Sequence, residues 1–444
     1  TLRDPAMTRG SKKRRIERLK SALIVLLSGS AVFLLMRTQA AIVSTEDSGT
    51  AYQAEAEDSA STESPGATAR PLRMAAAIQR GGEVVRYGVQ YDQESTDSLY
   101  QQSYSLLVEA LSSASQPYAV SETEFRQALS TAPGLYFDWQ GEIPVAVLNG
   151  WLSVDNQTLT GTVRRMVLTA VEGQVLLYYW DESADQGWGC ASDVISSSRL
   201  NEAVGALQEN GTVFAFEAEE LGVLAPYTMV QTQTPVPVVY SASNPITSEE
   251  RRQTLQEQLG FPENSISYPA AGEYVIRSRN DTLHIAEDGH VAYEAAAEGS
   301  DRYRLSGTGV YEAVEGCRRL AQQTLGQNSG EAALYLISAK ENGEENWVVE
   351  FGYSLNGAQV RIGEEGWAAR FVVEQGQITE FQLWFRSYTD SGTTSVVLPV
   401  RQALAAMETK GHEGEELLLV YLDGGGEGLV SASWAAARAL DTGR

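Results

Sequence analysis

Three histidines, His284, His290 and His412, and two cysteines, Cys190 and Cys317, are the whole stock of imidazole and thiol chemistry in this chain. Imidazole titrates near neutral pH and is the commonest nitrogen ligand for zinc. His284 and His290 lie six residues apart across a predicted hairpin turn, which brings them to adjacent strands. No third ligand stands near them, so the pair reads as cross-strand surface packing rather than a metal site. His412 falls in the loop KGHEGEE and reads as solvated. QGWGCAS around Cys190 has a superficial likeness to a thiol-protease nucleophile, but that family's spacing and Cys-Trp pair are missing. Around Cys317, the residues Val310, Ala313, Val314, Cys317, Leu320 and Ala321 recur at helical spacing. Cys317 is therefore expected as a small buried hydrophobe, with a bridge to Cys190 as the alternative.

The other motifs are weak. The chain has no H-E-x-x-H, paired C-x-x-C, Walker loop or G-x-S-x-G elbow. Gly307-Thr308-Gly309 lacks the third glycine and the preceding parallel strand of a dinucleotide site. DGGGEG at 423–428 offers Asp423 and Glu427 across a single turn, which suits a hairpin better than calcium. The expectation is no catalytic, cofactor-binding or metal-binding residue. Aromatic side chains remain. In FQLWFRSY, alternation puts Phe381, Leu383 and Phe385 on one face and Gln382, Trp384 and Arg386 on the other. Trp384 is then a candidate contact for a protein partner, with sheet-surface packing as the plainer reading.

The elements that carry these residues begin with a charge asymmetry. Residues 1–20 hold eight Lys/Arg against two acids; without them, the chain totals of 33 bases and 58 acids leave −31 on residues 21–444. So acidic a body disfavours nucleic acid as a partner, because phosphate binding needs clustered cations. Residues 1–20 read as a cytoplasmic basic tail and 21–43 as a transmembrane anchor. Ser21–Met36 are uncharged, Lys20 and Arg37 can snorkel, and Ala40–Val43 extend the apolar run. Cleavage after Thr38-Gln39-Ala40 is the alternative, with Arg37 against it. Within the span Ser28, Gly29, Ser30 and Ala31 form a small-residue patch that allows another helix to approach closely. Residues 44–71, polar and acidic, read as a flexible linker.

The body reads as α+β, in three parts. An N-terminal α+β domain covers 72–240, a helix-meander module 241–304, and a second helix-meander module 305–440. Helices are expected in STDSLYQQSYSLLVEALSSA and in SETEFRQAL, the latter behind a Ser121/Glu124 capping box. Strands are expected in GEVVRYGVQYD, GLYFDW, IPVAVLNGWLSV and TVFAFEAE, and a hairpin at Glu172-Gly173. A second capping box, Thr247 with Glu250, starts the next helix. It is followed by a three-stranded meander with a turn at Asp288-Gly289, and further turns fall at Asn356-Gly357 and Gln375-Gly376.

Taken in order, EVVRYGVQYD…SLLVEALSSA, LGFPENSISYPAAGEYVIRSRNDTLHIAEDGHVAYEA, WVVEFGYSLNGAQVRIGEEGWAARFVVEQGQITEF and LLLVYLDGGGEGLVSASW resemble the YycH family over about 75–435. Length and the extra N-terminal domain favour YycH over the shorter YycI. The resemblance implies a non-enzymatic, extracytoplasmic regulator of a WalK-like (YycG) sensor histidine kinase of Gram-positive bacteria. Its single membrane helix would contact the kinase's helices, and its outer domains a YycI-like protein. The alternative is a secreted PepSY-like inhibitor or peptide-binding module at the cell envelope, which would work without the anchor. A cell-wall enzyme would need convergent carboxylates in a groove.

Overall fold

Apolar and alternating strand runs broken by glycine-containing turns dominate the computed structural model, which describes residues 66–437 apart from 263–264, 271, 279–280, 297–299 and 301. The first strands are β1 (Arg73–Arg80), β2 (Glu83–Val89), β3 (Tyr118–Val120), β4 (Gly134–Pro144), β5 (Thr162–Val171), β6 (Gln174–Asp181) and β7 (Gln186–Ser196). They pair antiparallel in the order β2-β1-β4-β5-β6-β7-β3. Helices α1 (Gln93–Ser112) and α4 (Ser197–Gly205) bury Leu99, Leu107, Leu200 and Val204 against Met74, Phe137, Met166 and Leu177. Helix α2 (Glu122–Leu129) lays Phe125 and Leu129 on the opposite face, against Ala75, Tyr136, Val167 and Tyr178. Alternation along each strand supplies both faces with apolar side chains, which is why this sheet is covered twice. Helix α3 (Val145–Trp151) follows β4 directly.

A two-residue pair, β8 (Val213–Phe214) with β9 (Met229–Val230), leads to β10 (Val238–Ser243) and helix α5 (Glu249–Gln258). Next come β11 (Ile266–Ala270), β12 (Glu273–Ser278), β13 (Asp281–Ala286), β14 (His290–Glu294) and helix α6 (Val310–Ala321). After these stand β15 (Ala333–Glu341), β16 (Asn346–Leu355), β17 (Ala358–Ile362), β18 (Ala369–Glu374), β19 (Gln377–Trp384) and β20 (Ser387–Thr394). Helix α7 (Val400–Lys410), β21 (Leu417–Asp423), β22 (Gly428–Val430) and β23 (Ala432–Ala436) complete the described chain. The ladder β11-β12-β13-β14-β19-β18-β16-β15 is antiparallel throughout. Strand β16 changes neighbour halfway: Asn346–Phe351 pair with β18 and Tyr353–Leu355 with β17. Strand β17 in turn carries β21 in parallel, and β21 carries β23. A single parallel bridge, Ser338 with Glu142, joins this sheet to the first. Gly141 permits that approach, since a Cβ there would stand 1.9 Å from the Leu336 carbonyl oxygen.

The architecture is mixed α+β. The predicted hairpin turns are present: at Glu172-Gly173, Asn356-Gly357 and Gln375-Gly376 both residues have positive φ, the mirror-image geometry that matches strand twist. The Ser121/Glu124 capping box forms in full. Several expectations need correction. VAVLNGW is helix α3, not strand, because Pro144 closes β4 and burial of Val145, Val147 and Leu148 outweighs β-branching. TVFAFEAE contributes only the two residues of β8 before tight turns. The cap of α5 is Ser248, whose Oγ accepts from the Arg251 N–H at 3.2 Å, in place of Thr247. The meander has four strands, with β11 added. Cys317 is buried on α6 as expected, and both thiols are free. Among the described residues no helix is long and apolar enough to cross a membrane. The expected span, 21–43, with Ser28, Gly29, Ser30 and Ala31, lies outside the described residues.

Candidate functional site

Two arginines side by side, Arg164 and Arg165, interrupt the apolar run of β5, and burying them requires partners. The partner is Glu416, placed just ahead of β21 by the β17–β21 and β21–β23 ladders. Glu416 is buried, and its carboxylate takes Arg73 Nη1 from β1 at 2.8 Å and Arg165 Nη2 at 3.1 Å, with Arg164 Nη2 as a third donor. Arg165 also pairs with Glu182, and Arg164 Nε stands 3.4 Å from Asp138. Asp138 accepts from the Gln140 N–H at 2.9 Å and from Gln140 Nε2 at 2.6 Å. The Tyr91 hydroxyl accepts from Arg73 Nη2 and from the Leu419 N–H, each at 3.0 Å. Burial works against the Glu416 anion, but the three guanidiniums outweigh it and hold its carboxyl well below the usual carboxylate range. Arg164 is likewise held cationic, against its burial, by Glu416 and Asp138.

A second buried pair caps the other end of β21. Arg386, 1% exposed, makes a two-pronged contact with Asp423 through Nε at 2.8 Å and Nη2 at 2.9 Å. Its remaining donors go to the carbonyls of Gly425 at 3.0 Å and Gly426 at 2.6 Å. The Tyr388 hydroxyl donates to Asp423 at 2.7 Å, and the Gly425 N–H does so at 2.8 Å. DGGGEG is thus a turn whose carbonyls face a guanidinium, and Asp423 is already occupied. Arg386 corrects the alternation read from sequence: β19 ends at Trp384, and the irregular residues after it turn Arg386 inward.

Trp384 is half-buried, its ring 4.7 Å from that of His290, its cross-strand neighbour. Its Nε1 is buried without a hydrogen-bond partner. His284 faces Ala292 across the ladder, not His290, and its Nδ1 lies 3.2 Å from Glu273. His412 Nδ1 lies 3.2 Å from Glu415. Among the described residues no group of three or more His, Cys, Asp or Glu is placed to hold a metal. Burial pushes the Cys190 thiol up to about 12, the reverse of what a thiolate nucleophile requires.

The Glu416 site borders a cavity of about 740 Å3 lined also by Trp180, Tyr227 and Glu415, whereas Arg386 and Asp423 are sealed from solvent. Every carboxylate oxygen faces a donor, and the arrangement fixes β21 against β1 and β5 rather than activating anything. Sequence reasoning missed the Glu416 site. The one signal for it was the charged pair inside TVRRMVLTAV, which demands an acid from elsewhere.

No family model matches the chain, and no curated protein matches it. Among solved structures, the crystal structure of YycH from Bacillus subtilis matches with a TM-score of 0.53 at 10% sequence identity. The match covers 84% of this chain and 95% of that one. The chain has a YycH-like fold.

Proposed function

We propose that this protein is a membrane-anchored, extracytoplasmic, non-enzymatic regulator of a WalK-like sensor histidine kinase. The observation that carries the reading is the correspondence of fold with YycH over 95% of that chain. The self-neutralised arginine sites, whose carboxylates are engaged by guanidiniums, support a non-enzymatic body. In this reading residues 21–43 cross the membrane and meet the kinase's helices at Ser28, Gly29, Ser30 and Ala31, where small side chains allow close approach. The outer body associates with a YycI-like protein, and the part of the Trp384 ring left open on the sheet is a candidate contact. Control requires only that the protein bind two kinase states unequally.

The test co-expresses the kinase with the full chain, with a version lacking residues 21–43, and with Gly29→Leu. Kinase phosphorylation is then measured at matched expression. The anchorless and Gly29→Leu forms are expected to lose control of the kinase while the body folds normally. Unchanged kinase output in a normally exported Gly29→Leu protein would remove the helix-contact reading.

A further inference from the structure

Away from both arginine sites, a cleft of about 1010 Å3 opens between two walls. One wall is Pro144, α3 and the loop to β5, with Val154 and Leu159. The other is the start of α6, with Val310 and Tyr311, together with Ala339–Glu341 of β15 and Trp347 of β16. The walls touch where Tyr311 lies on Gly150; a Cβ at Gly150 would stand 2.1 Å from the Tyr311 ring. The cleft's size is at the upper end of ligand pockets, about 1,000 Å3, and its floor is mainly apolar.

Three features say what would fill it. The first is a strand edge. Strand β15 pairs with β16 along Ala339–Glu341, but on its other side meets β4 only at Ser338. Beyond Ser338 that edge carries no strand among the described residues, and it lines the cleft. The second is an orphaned acceptor. Asn149, 5% exposed, lines the cleft and donates Nδ2 to the Asn156 carbonyl at 2.8 Å, which fixes the amide's orientation. Its Oδ1 is buried with no donor, a cost that an N–H would relieve once a small shift of the amide brings the oxygen to the cleft surface. The third is charge. Glu142, Asp155 and Glu341 line the cleft against the single base Lys340, and no ion pair among the described residues involves any of the four.

We propose that this cleft is a docking groove for an extended, cationic and partly apolar segment of a partner protein, added as a strand along Ala339–Glu341. Main-chain hydrogen bonds to the open edge supply affinity. The apolar floor takes alternate side chains, and the carboxylates select for Lys or Arg on the others. Such a segment joins the two walls, so its binding stiffens the body as well as marking a partner.

The purified chain is titrated with a labelled peptide of roughly ten residues alternating Val and Lys, a usual length for a strand. Its Val-Glu counterpart, and a Val-Lys peptide N-methylated at every second residue, serve as comparisons. The Val-Lys peptide is expected to bind saturably, with the Val-Glu and N-methylated peptides at least about tenfold weaker, corresponding to the loss of charge match and of ladder bonds. The exposed-rim double variant Asp155→Asn/Glu341→Gln is expected to weaken Val-Lys binding about threefold to tenfold without changing the thermal melt. Absence of saturable Val-Lys binding at millimolar concentration, equal binding of the Val-Glu peptide, or undiminished binding of the N-methylated peptide would each overturn the proposal. N-methylation alters only the peptide, so this arm does not depend on any variant folding. The assay contains no kinase, and its failure leaves the regulator reading standing.

Discussion

Glu416 and Asp423 bracket β21, one just before it and one at its last residue, and both are buried against arginine. They tie together different parts of the chain. Arg386 stands 37 residues from Asp423 and completes its hydrogen bonds on carbonyls of the adjoining turn. Arg73 stands 343 residues from Glu416, and Arg164 252 residues from it. One site is therefore a local clasp on a turn, whereas the other fastens the last part of the chain to the first sheet. The stoichiometry differs as well. Asp423 serves one guanidinium, while Glu416 is shared by three and relies on Asp138 and Glu182 for the remaining balance. Burying charge is costly in either case, so neither intact site adds much net stability, and the large effect appears when one partner is removed.

The largest effect is expected from Glu416→Gln, which leaves three guanidiniums facing a neutral amide. Unfolding free energy measured in denaturant should fall by about 3–5 kcal/mol, the usual consequence of an uncompensated buried charge. The same site predicts acid sensitivity. Because the folded Glu416 carboxyl is held below its unfolded value, its contribution is complete above the ordinary carboxylate range and is lost as pH falls through the folded value. Stability of the parent should therefore decline on acidification more steeply than that of Glu416→Gln; parallel curves would contradict the assignment.

Asp423→Asn should cost less, about 2–3 kcal/mol, because it leaves one guanidinium rather than three without its carboxylate, and the glycine carbonyls still accept from it. A loss as large as that of Glu416→Gln would erase the contrast between clasp and fastening. The free thiols report where each variant opens, since Cys190 is in β7 of the first sheet and Cys317 on α6 over the second. Neither thiol should alkylate in the native protein, because burial raises both above their ordinary values. In mild denaturant Asp423→Asn should label at Cys317 before Cys190, and Glu416→Gln at both together, as read by mass spectrometry of digests.

The smallest effect concerns His290, whose ring is packed on Trp384 and is not itself a member of either arginine site. Burial lowers its pKa from the ordinary value of about 6.5, so the unfolded chain takes up a proton first as pH falls. Stability should decline as pH drops from about 6.5 toward the folded value, and His290→Phe should lose that part of the slope. An unchanged profile between parent and variant would show that the ring titrates as it does in the unfolded chain.

Local grammar was legible in the sequence, and long-range closure was not. Hairpins at Glu172-Gly173 and Asn356-Gly357, the Ser121 cap and the buried face of α6 arise from residues within a few positions of one another. Strand β1, RMAAAIQR, escaped because it is buried on both faces and rich in alanine, so it shows neither alternation nor β-branching. Helix α3 was misread because its valines argue for strand, and only Pro144 hints otherwise. Arg386 was placed on the wrong face because an alternation extended past Trp384 outlived the strand that justified it. The Glu416 site could not be read at all beyond the anomaly of two arginines in a greasy strand, since its members meet only when the sheets are assembled. The cleft belongs to the same class: Asn149 and Lys340 carry no mutual signal along the chain.

The position of Glu416 also bears on how the protein is made. Ribosomal synthesis delivers Arg73, Arg164 and Arg165 long before residue 416, so the first sheet emerges with only Asp138 and Glu182 set against three guanidiniums. Domains generally fold as they are produced, N-terminal part first, and contacts of such wide sequence separation form late. A chain that stops short of residue 416 would keep that sheet unfinished and open to proteolysis, whereas one that reaches it supplies the shared carboxylate. Completion of the first sheet thus waits on a glutamate that follows Arg164 by 252 residues.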